Sequence, residues 1–308
     1  MLDIYQKTIS NPISFEGIGL HSGKSSKITI LPGKVNQGIV FKRIDLKTNN
    51  LVKANFEKVC LAKLCTTLSN DQNVKVSTVE HLLASLYILG IDNALIEIDN
   101  EEVPIMDGSA KNFLDKLQKV EIKSLDSKRK YLKIKDKIEL VDGERKISIE
   151  PSESTFEVDF QLNYKNKVIG NQRNIINFQI DDINDVITSR TFCLFEDIEK
   201  IKKAGLAKGG SLLNAVVVDE DKVLNDEGLR NDKEFVNHKI LDLAGDFILS
   251  GYRVIGKVTC YQGGHELTNM FLRKLFNSKS ALTFVELEEV KISKKITSDQ
   301  SIKIAVNA

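Results

Sequence analysis

The segment FVNHKILDLAGD, residues 235–246, most constrains how this chain can fold, because its polar residues recur every four positions in an apolar helical pattern. At 3.6 residues per turn, His238, Asp242 and Asp246 lie within about 80° of one another on one helical face. The apolar residues around them predict a largely buried helix, in which an unpaired carboxylate is costly. Taken alone, the segment is equally consistent with a solvated acidic face and with a metal or catalytic site.

Length and composition predict a soluble globular protein. The 308 residues, 42% hydrophobic and 28% charged, suffice for two domains of ordinary size. The sequence has 44 basic and 43 acidic side chains, and the resulting net charge of +1 gives no reason to expect a nucleic-acid partner. The sequence contains no apolar run of transmembrane length, no CxxC pair and no secretory signal pattern. These features predict a cytoplasmic location.

Strands are predicted through most of the first 120 residues, separated by Gly, Pro and Asn turn signals. The predicted strands lie around residues 13–15, 26–31, 38–43, 51–54 and 93–100. The turn PIMDGSA and a helix at 111–119 follow the last of them, and Gly108 in that turn needs only a tight bend to explain it. A charged run at 120–131 favours a domain boundary there.

The second half repeats this order of strands followed by helices. Strands are predicted at residues 131–140, 145–150, 156–162, 174–180, 215–218 and 253–261. Helices are predicted before Gly205, at 235–246 and after the GGH turn. We therefore expect an α+β fold of two similar domains, 1–126 and 127–308, each with a β-sheet and packed helices.

A short buried helix is predicted from Ser77 to Gly90, and it carries Glu80 and His81. The S-x-x-E spacing from Ser77 fits a capping box, in which Glu80 closes the first helical turn. Consecutive helical residues point about 100° apart, so a metal bound by His81 would instead have Glu80 beside it, where a general base must be. On this segment alone, the structural cap is the favoured interpretation.

Three residues from the two helices form a candidate metal site. His81, His238 and Asp242 supply two imidazoles and one carboxylate, a set that suits catalytic zinc with a fourth position open for water. One anionic ligand leaves the site positive, so the metal can acidify its water and polarise a carbonyl. Glu80 would then accept the proton.

A fourth candidate residue, His265, follows a glycine pair in the segment GGHELTN. It is not needed as a ligand and is therefore free to protonate a leaving group. Asp246, one turn beyond Asp242, can orient His265 and favour its imidazolium form.

Eight segments occur in a recognisable order between about residues 4 and 275: GIGLHSG, STVEHLLASL, IDN, PIMDGSA, SRTF, GGS, VLNDEGLRNDKEFVNHKILDLAGD and GGHELTN. In these segments the chain resembles the zinc-dependent UDP-3-O-acyl-N-acetylglucosamine deacetylases of lipid A synthesis. So many segments in one order are very improbable by chance, although each alone is weak. The resemblance implies an active site at the interface of the two domains.

The family mechanism implies one zinc ion on the three ligands named above, and Fe²⁺ can occupy similar sets. Glu80 would activate water for attack on the acetamide carbonyl, while the hydroxyl of Thr191 in SRTF helps to hold the oxyanion. His265, with Asp246 as its partner, would protonate the departing amine as acetate is released. This reaction is the committed step of lipid A biosynthesis.

Resemblance to the family also implies substrate contacts. Lys239 and Phe192 would contact the sugar or diphosphate, and the apolar stretch 206–217, with Gly210, would form the acyl-chain passage. Judged from residue types alone, Lys239 is a solvated surface lysine and the apolar stretch is ordinary core. The substrate is a small molecule with an acyl chain, so the resemblance implies transient membrane proximity without a transmembrane segment, and we expect a monomer.

Four further residues match family positions without an assigned role. The diphosphate contact falls near Arg145 or Lys146, and the sequence does not decide between them. His21 in GIGLHSG corresponds to a position near the active-site mouth, and Cys65 to a cysteine near the metal.

Two other functions are open at this point. Clustered His and Asp residues also serve metal-dependent phosphohydrolases, although such sites use more bridging carboxylates than this set provides. A non-catalytic nucleotide-sugar or lipid-binding protein is the second alternative. It has no need of the potential acid, base and oxyanion donor that Glu80, Thr191, Asp246 and His265 supply.

Overall fold

The computed structural model describes residues 2–288 and has the α+β architecture that the sequence predicts. Ten of its strands precede residue 129, namely β1 (Tyr5–Ile9), β2 (Ile13–Ile18), β3 (Ser25–Pro32), β4 (Ile39–Arg43), β5 (Leu51–Lys53), β6 (Val59–Leu61), β7 (Thr67–Ser69), β8 (Lys75–Val76), β9 (Ala94–Ile98) and β10 (Ile122–Lys128). The others are β11 (Lys130–Ile134), β12 (Ile138–Asp142), β13 (Arg145–Glu150), β14 (Phe156–Asn163), β15 (Asn171–Asn177), β16 (Phe192–Leu194), β17 (Val216–Asp219), β18 (Lys222–Val223), β19 (Arg253–Tyr261) and β20 (Leu282–Glu286).

The described residues also form α-helices and three short 3₁₀ helices. The α-helices are α1 (Glu80–Ile88), α2 (Lys111–Leu117), α3 (Asn184–Thr188), α4 (Phe195–Lys203), α5 (Glu234–Phe247) and α6 (His265–Asn277). The 3₁₀ helices are Phe56–Lys58, Ile248–Ser250 and Lys279–Ala281. The periodic segment 235–246 is thus confirmed as a buried helix, α5.

The first main sheet has five strands in the order β2-β3-β9-β4-β5. Its β3 and β9 pair antiparallel, with Ile30 opposite Ile96, and β9 and β4 pair parallel. Alternate residues of β3 and β9 are buried, as expected for a sheet with one face on the core. Helix α2 contributes Phe113, whose ring centroid lies 5.1 Å from that of Phe15.

The second main sheet has seven strands, and β19 is its centre. It pairs antiparallel with β13 and parallel with β14 and β11, while β12, β15 and β20 lie at the margins. Alternate residues of β14 are buried. Helix α5 packs against this strand, with the Phe247 ring centroid 5.3 Å from that of Phe156.

Helices α1 and α5 join the two halves of the molecule at Gly245. A Cβ atom on Gly245 would lie 2.1 Å from the backbone oxygen of Glu80 and 3.2 Å from the backbone nitrogen of Ala84. Only glycine permits this approach. The contact brings the N-terminal turn of α1 alongside the polar face of α5, so the candidate site lies between the two halves.

The predicted capping box at Ser77 is wrong, because tertiary contacts outcompete it. Helix α1 begins only at Glu80 and has no side-chain cap. The hydroxyl of Ser77 accepts a hydrogen bond from Thr67 at 3.1 Å, and the Glu80 carboxylate accepts one from the backbone N–H of Thr66 at 3.0 Å. Thr78 between them has a φ of 57°, an unusual backbone conformation for a β-branched residue.

Three other predicted segments differ from the structure. The strand predicted at 131–140 is two strands, β11 and β12, separated by residues 135–137. The strand predicted at 174–180 is β15, which begins and ends three residues earlier, because the backbone N–H of Asp181 bonds the carbonyl of Asn177 in a turn. Much of the charged run 120–131 is β10, which pairs antiparallel with β1. The predicted domain boundary after residue 126 falls within β10 and stays a prediction.

No helix within residues 2–288 combines the length and apolar character needed to cross a bilayer. The predicted cytoplasmic location stays a prediction.

Candidate functional site

The three predicted metal ligands lie together, buried, between α1 and α5. The Nε2 atoms of His81 and His238 lie 3.5 Å and 3.4 Å from Oδ1 of Asp242. One ligand atom from each residue falls within a common distance of 4.8 Å. Each side chain is 5% exposed or less. The four-residue spacing on α5 and the Gly245 contact with α1 together produce this convergence.

The state of these groups fits a divalent cation. Oδ1 of Asp242 is buried without a hydrogen-bond partner among the described residues. Burial would raise the pKa of Asp242, but nearby positive charge, from His238 when it is protonated and from Lys239 and His265, outweighs burial and holds that pKa well below its usual range. Burial lowers the pKa of His238 to about 3, so its imidazole is neutral, as a ligand must be. Two imidazoles and one carboxylate are a donor set that zinc and iron both accept.

A backbone carbonyl fixes the ring of His238. Its Nδ1 lies 3.1 Å from the carbonyl oxygen of Ser189. A carbonyl can only accept, so Nδ1 carries the proton and Nε2 presents its lone pair toward Asp242. No sequence pattern marks this contact, because Ser189 lies 49 residues away in the chain.

His265 has the opposite environment, with carboxylates around its ring. Its Nδ1 lies 2.8 Å from Oδ2 of Asp246, and its Nε2 lies 3.8 Å from both Glu80 and Asp242. Burial alone would lower the pKa of His265, but the charges of Asp246, Glu80 and Asp242 outweigh it and raise the pKa to about 10. The predicted pairing of Asp246 with His265 is therefore present as geometry.

Thr66 is a residue of the site that sequence reasoning missed. Its hydroxyl donates to Oδ1 of Asp246 at 2.7 Å, and its backbone N–H donates to Oε2 of Glu80 at 3.0 Å. One residue thus holds two of the three carboxylates that surround His265. Burial raises the pKa of Glu80 above its usual value. The only sequence signal was the position of Thr66 directly after Cys65.

Lys239 is not a solvated surface lysine. Its Nζ donates to Oδ2 of Asp242 at 2.8 Å, and its side chain is only 20% exposed. The ammonium also lies 5.7 Å from the centre of the Phe192 ring. The ammonium thus contacts a metal ligand three residues further along α5, so Lys239 belongs to the site electrostatically.

An apolar cavity of about 330 Å³ adjoins the metal cluster. The two meet at Phe192, which lines the cavity and whose ring centroid lies 6.3 Å from that of His238. The predicted residues Thr191 and Gly210 also lie in its wall, as does His21. Apolar side chains from α4, β17 and neighbouring loops complete it: Leu20, Leu64, Phe195, Ile198, Ile201, Leu212, Val217 and Leu224.

The GIGLHSG loop is held against this cavity by a buried carboxylate that the sequence did not reveal. Glu102 accepts hydrogen bonds from the backbone N–H groups of His21 at 2.8 Å and Ser22 at 2.7 Å, and from the Thr78 hydroxyl at 2.8 Å. It thereby links the loop to the residues that precede α1. Nε2 of His21 is buried without a hydrogen-bond partner among the described residues.

Cys65 and the candidate diphosphate contacts lie at different depths. Cys65 is buried, and burial, with the charge of Glu80, raises the pKa of its thiol to about 12, so it is not a thiolate ligand. Arg145 pairs with Asp142 and, at 3.2 Å, with Glu266, the residue after His265. Lys146 pairs with Glu139 at 2.7 Å. The choice between Arg145 and Lys146 stays open.

The PIMDGSA turn is more than a tight bend, which corrects the expectation for Gly108. A Cβ atom on Gly108 would lie 2.1 Å from the backbone oxygen of Asn214, and the residue has a φ of 84°. Its carbonyl accepts the backbone N–H of Thr191 at 2.8 Å. Asp107 beside it pairs with Arg230 at 2.8 Å. The turn therefore ties SRTF to the segment that leads into α5.

Comparisons with known proteins identify the family. A family model described as UDP-3-O-acyl N-acetylglycosamine deacetylase (LpxC) matches residues 6–277. The chain is 41% identical to the UDP-3-O-acyl-N-acetylglucosamine deacetylase of Shewanella violacea, over 92% of this chain and 94% of that protein. It is also 41% identical to the protein of the same name from Pseudoalteromonas translucida, over 92% of this chain and 95% of that one. The family predicted from the motifs is thus confirmed, and this chain belongs to the UDP-3-O-acyl N-acetylglycosamine deacetylases.

Proposed function

We propose that this chain is a zinc-dependent amidohydrolase that acts on UDP-3-O-acyl-N-acetylglucosamine. It hydrolyses the acetamide and releases acetate and the free 2-amino sugar nucleotide, in the committed step of lipid A biosynthesis. Family membership supports the substrate class. The observation that carries the reaction type is a buried ligand cluster flanked by a carboxylate, Glu80, and a carboxylate-paired histidine, His265.

His81, His238 and Asp242 would hold one metal ion in this proposal, zinc by preference, although Fe²⁺ suits the same donors. When bound, such an ion supplies a Lewis acid for the acetamide carbonyl and lowers the pKa of water. The remaining chemistry falls to the side chains around it.

Glu80 is the general base. Its Oε2 is occupied by the N–H of Thr66, and its Oε1 faces His265 across 3.8 Å, so Oε1 is the atom that takes the proton from water. Because burial raises the pKa of this carboxyl, the group is a stronger base than an exposed glutamate.

His265 is the general acid. Its Nδ1 is engaged by Asp246, which leaves the Nε2 proton for the departing sugar amine. A pKa of about 10 keeps that proton in place at neutral pH. The rate should fall in acid as Glu80 becomes protonated and in alkali as His265 loses its proton, which gives a bell-shaped profile.

The SRTF segment and the cavity bind the rest of the substrate. Thr191 donates its hydroxyl to the negative charge that develops on the acetamide oxygen. Lys239 and Phe192 contact the sugar or diphosphate, and Gly210 keeps the wall of the apolar cavity open for the acyl chain. Water exclusion by the chain in the cavity strengthens the electrostatic contacts at the metal cluster.

The proposal extends to the organisation of the protein. The chain has two domains, 1–126 and 127–308, of which the last 20 residues lie outside the described part. It acts as a cytoplasmic monomer on a small-molecule substrate, with no nucleic-acid partner and only transient membrane proximity.

The deciding experiment measures acetate release from UDP-3-O-acyl-N-acetylglucosamine before and after chelation. We expect chelator to abolish release and one equivalent of zinc to restore it. Glu80→Gln is the matched variant, since it should keep the zinc and lose most of the activity. Chelator-insensitive release, or full turnover by Glu80→Gln with zinc bound, would overturn the mechanism.

The same preparation separates the alternative functions. Two metal ions per chain and phosphate release from a nucleotide substrate would favour the phosphohydrolase. Tight binding of the nucleotide sugar with no turnover at any metal loading would favour the binding protein.

A further inference from the structure

Arg190 of SRTF has the largest side chain among the fully buried residues of the described chain. A buried guanidinium is costly unless its hydrogen bonds and charge are both matched. Neither the metal cluster nor the proposed chemistry uses this residue. Its partners therefore indicate what the burial achieves.

A single buried carboxylate, Glu234, receives three of the five hydrogen bonds that Arg190 donates, and the other two go to Glu227 and the carbonyl of Gly228. Arg190 donates to it through Nε at 2.8 Å, Nη2 at 3.2 Å and its own backbone N–H at 3.0 Å. The backbone N–H of Arg230 adds a fourth bond at 2.7 Å. Glu234 is also fully buried and is the first residue of α5. Because one of these bonds comes from the Arg190 backbone, the contact fixes the main chain as well as the side chain.

The position of Glu234 on α5 connects this contact to the metal cluster. Glu234 and His238 are four residues apart and share a helical face. Glu234 holds Arg190, and His238 holds the carbonyl of Ser189, the preceding residue, at 3.1 Å. Two successive turns of α5 thus form hydrogen bonds with two successive residues of SRTF, Ser189 and Arg190. The next residue is Thr191.

We propose that Arg190 and Glu234 are positioning residues, a buried clamp that sets the register of SRTF on α5. The clamp keeps the Ser189 carbonyl on Nδ1 of His238, so that Nε2 points at the metal position. It also sets where Thr191 lies, and this second part rests on the proposed function. Neither clamp residue touches the ligand cluster or the substrate.

Stability alone is a weak reason for such a pair, since well-packed apolar residues of similar size stabilise a core as well or better. Glu227 offers a natural comparison. It pairs with the guanidinium of Arg190 from the outside and its side chain is 55% exposed. No hydrogen bond from the Arg190 backbone reaches it among the described contacts. Glu227 therefore changes the charge near Arg190 without controlling the main chain.

The test compares Glu234→Gln with Glu227→Gln in the full-length protein. Each variant removes one negative charge with little change of shape. For Glu234→Gln we expect about a 10-fold or larger loss of zinc affinity, because groups that orient metal-bound histidines have effects of that size. We expect kcat for acetate release to fall by a similar factor, with KM within about twofold of wild type. Glu227→Gln should match wild type in both quantities.

Two readouts, one spectroscopic and one kinetic, exclude a purely structural effect. In metal-free wild type, ¹⁵N NMR should show His238 protonated at Nδ1, and Glu234→Gln should show a mixture of tautomers. In a Thr191→Val background, Glu234→Gln should reduce kcat much less than in wild type, because residues that act through one group are not additive.

Wild-type zinc affinity, tautomer and kcat in a folded Glu234→Gln protein would overturn the clamp, and so would equal losses in Glu227→Gln. If Glu234→Gln does not fold, Arg190→Lys takes its place, since it keeps the charge and the backbone bond but not the fork, and it should show the same losses in smaller degree. Absence of acetate release by wild type would sink the proposed function, while zinc affinity and the His238 tautomer would still decide the clamp.

Discussion

His238 and His265 lie on opposite sides of the Asp242 carboxylate. They are almost equally buried, with side chains 2% and 6% exposed. Their pKa values move in opposite directions, to about 3 and to about 10. Burial lowers the pKa of both rings. The two pKa values differ because the Nδ1 atoms have different hydrogen-bond partners. The partner is a neutral carbonyl for His238 and the carboxylate of Asp246 for His265.

Neighbouring charges widen this difference. Lys239 lies on the His238 side and lowers the pKa of that imidazole further, whereas Glu80 lies on the His265 side and raises the pKa there. One residue type therefore provides a neutral ligand and a protonated acid within a single site. The partner of Nδ1 assigns the role, which residue spacing alone does not disclose.

Replacing Asp242 should have the largest effect, since this carboxylate faces His81, His238 and His265. We expect Asp242→Ala to abolish measurable zinc binding and to reduce kcat/KM by more than the roughly 10²–10⁴-fold that one acid–base group supplies. Zinc content after dialysis and acetate release measure the two losses. Stoichiometric zinc in this variant would show that the ligand set is wrongly assigned.

Replacing Asp246 should affect only the acid side. In Asp246→Asn, His265 loses the charge that raises its pKa most, so the alkaline limb of the rate profile should move to lower pH. We expect kcat to fall about 10²-fold or more at neutral pH, as for loss of one acid–base group, with zinc still bound. Metal analysis and a pH–rate profile test this. Zinc loss equal to that of Asp242→Ala would mean that α5 does not divide into a metal turn and an acid turn.

Closing the space at Gly245 should have a smaller effect, and it should change both the stability of the protein and its affinity for zinc. Gly245→Ala places a methyl group against the backbone of Glu80, so α1 and α5 must separate. We expect a loss of about 1–3 kcal/mol in the free energy of unfolding, as for overpacked cores, together with weaker zinc binding. Denaturant unfolding and zinc titration measure these changes. An unchanged zinc affinity would show that helix spacing does not set the ligand geometry.

Much of the site could be predicted because helical periodicity is local. The four-residue spacing of α5 placed His238, Asp242 and Asp246 on one face before any tertiary contact was known. The capping box failed for the opposite reason, since Thr66 takes the Glu80 carboxylate and lies outside the predicted helix. Contacts between segments that are far apart in the chain produce no periodic pattern in the sequence.

The missed residues illustrate this limit. The Ser189 carbonyl contributes through its backbone, so no side-chain pattern marks it. Glu234 preceded the periodic segment and resembled an ordinary acidic residue at a helix start, although it is fully buried on Arg190. Glycine at 245 was one more small residue in an apolar run, and only the packing of α1 shows why a Cβ atom cannot fit.

The last expected effect concerns only the stability of the metal-free protein, and it separates the two histidines by sign. The folded pKa of His265 is above the usual 6.5, so its stabilisation is complete below pH 6.5 and is lost as pH rises toward about 10. The folded pKa of His238 is below 6.5, so this group destabilises the fold as pH falls from 6.5 toward about 3. The free energy of unfolding of wild type minus that of His265→Gln should therefore decrease with pH above 6.5. The same difference for His238→Gln should increase with pH below 6.5.

Each change should be on the order of 1 kcal/mol or more, because one pKa unit corresponds to about 1.4 kcal/mol. Urea unfolding of metal-free protein across the two pH ranges measures both differences, and Glu227→Gln serves as the control because it alters neither histidine. Differences of the same sign would mean that burial governs both rings, and that the Asp246 carboxylate does not distinguish the acid from the ligand.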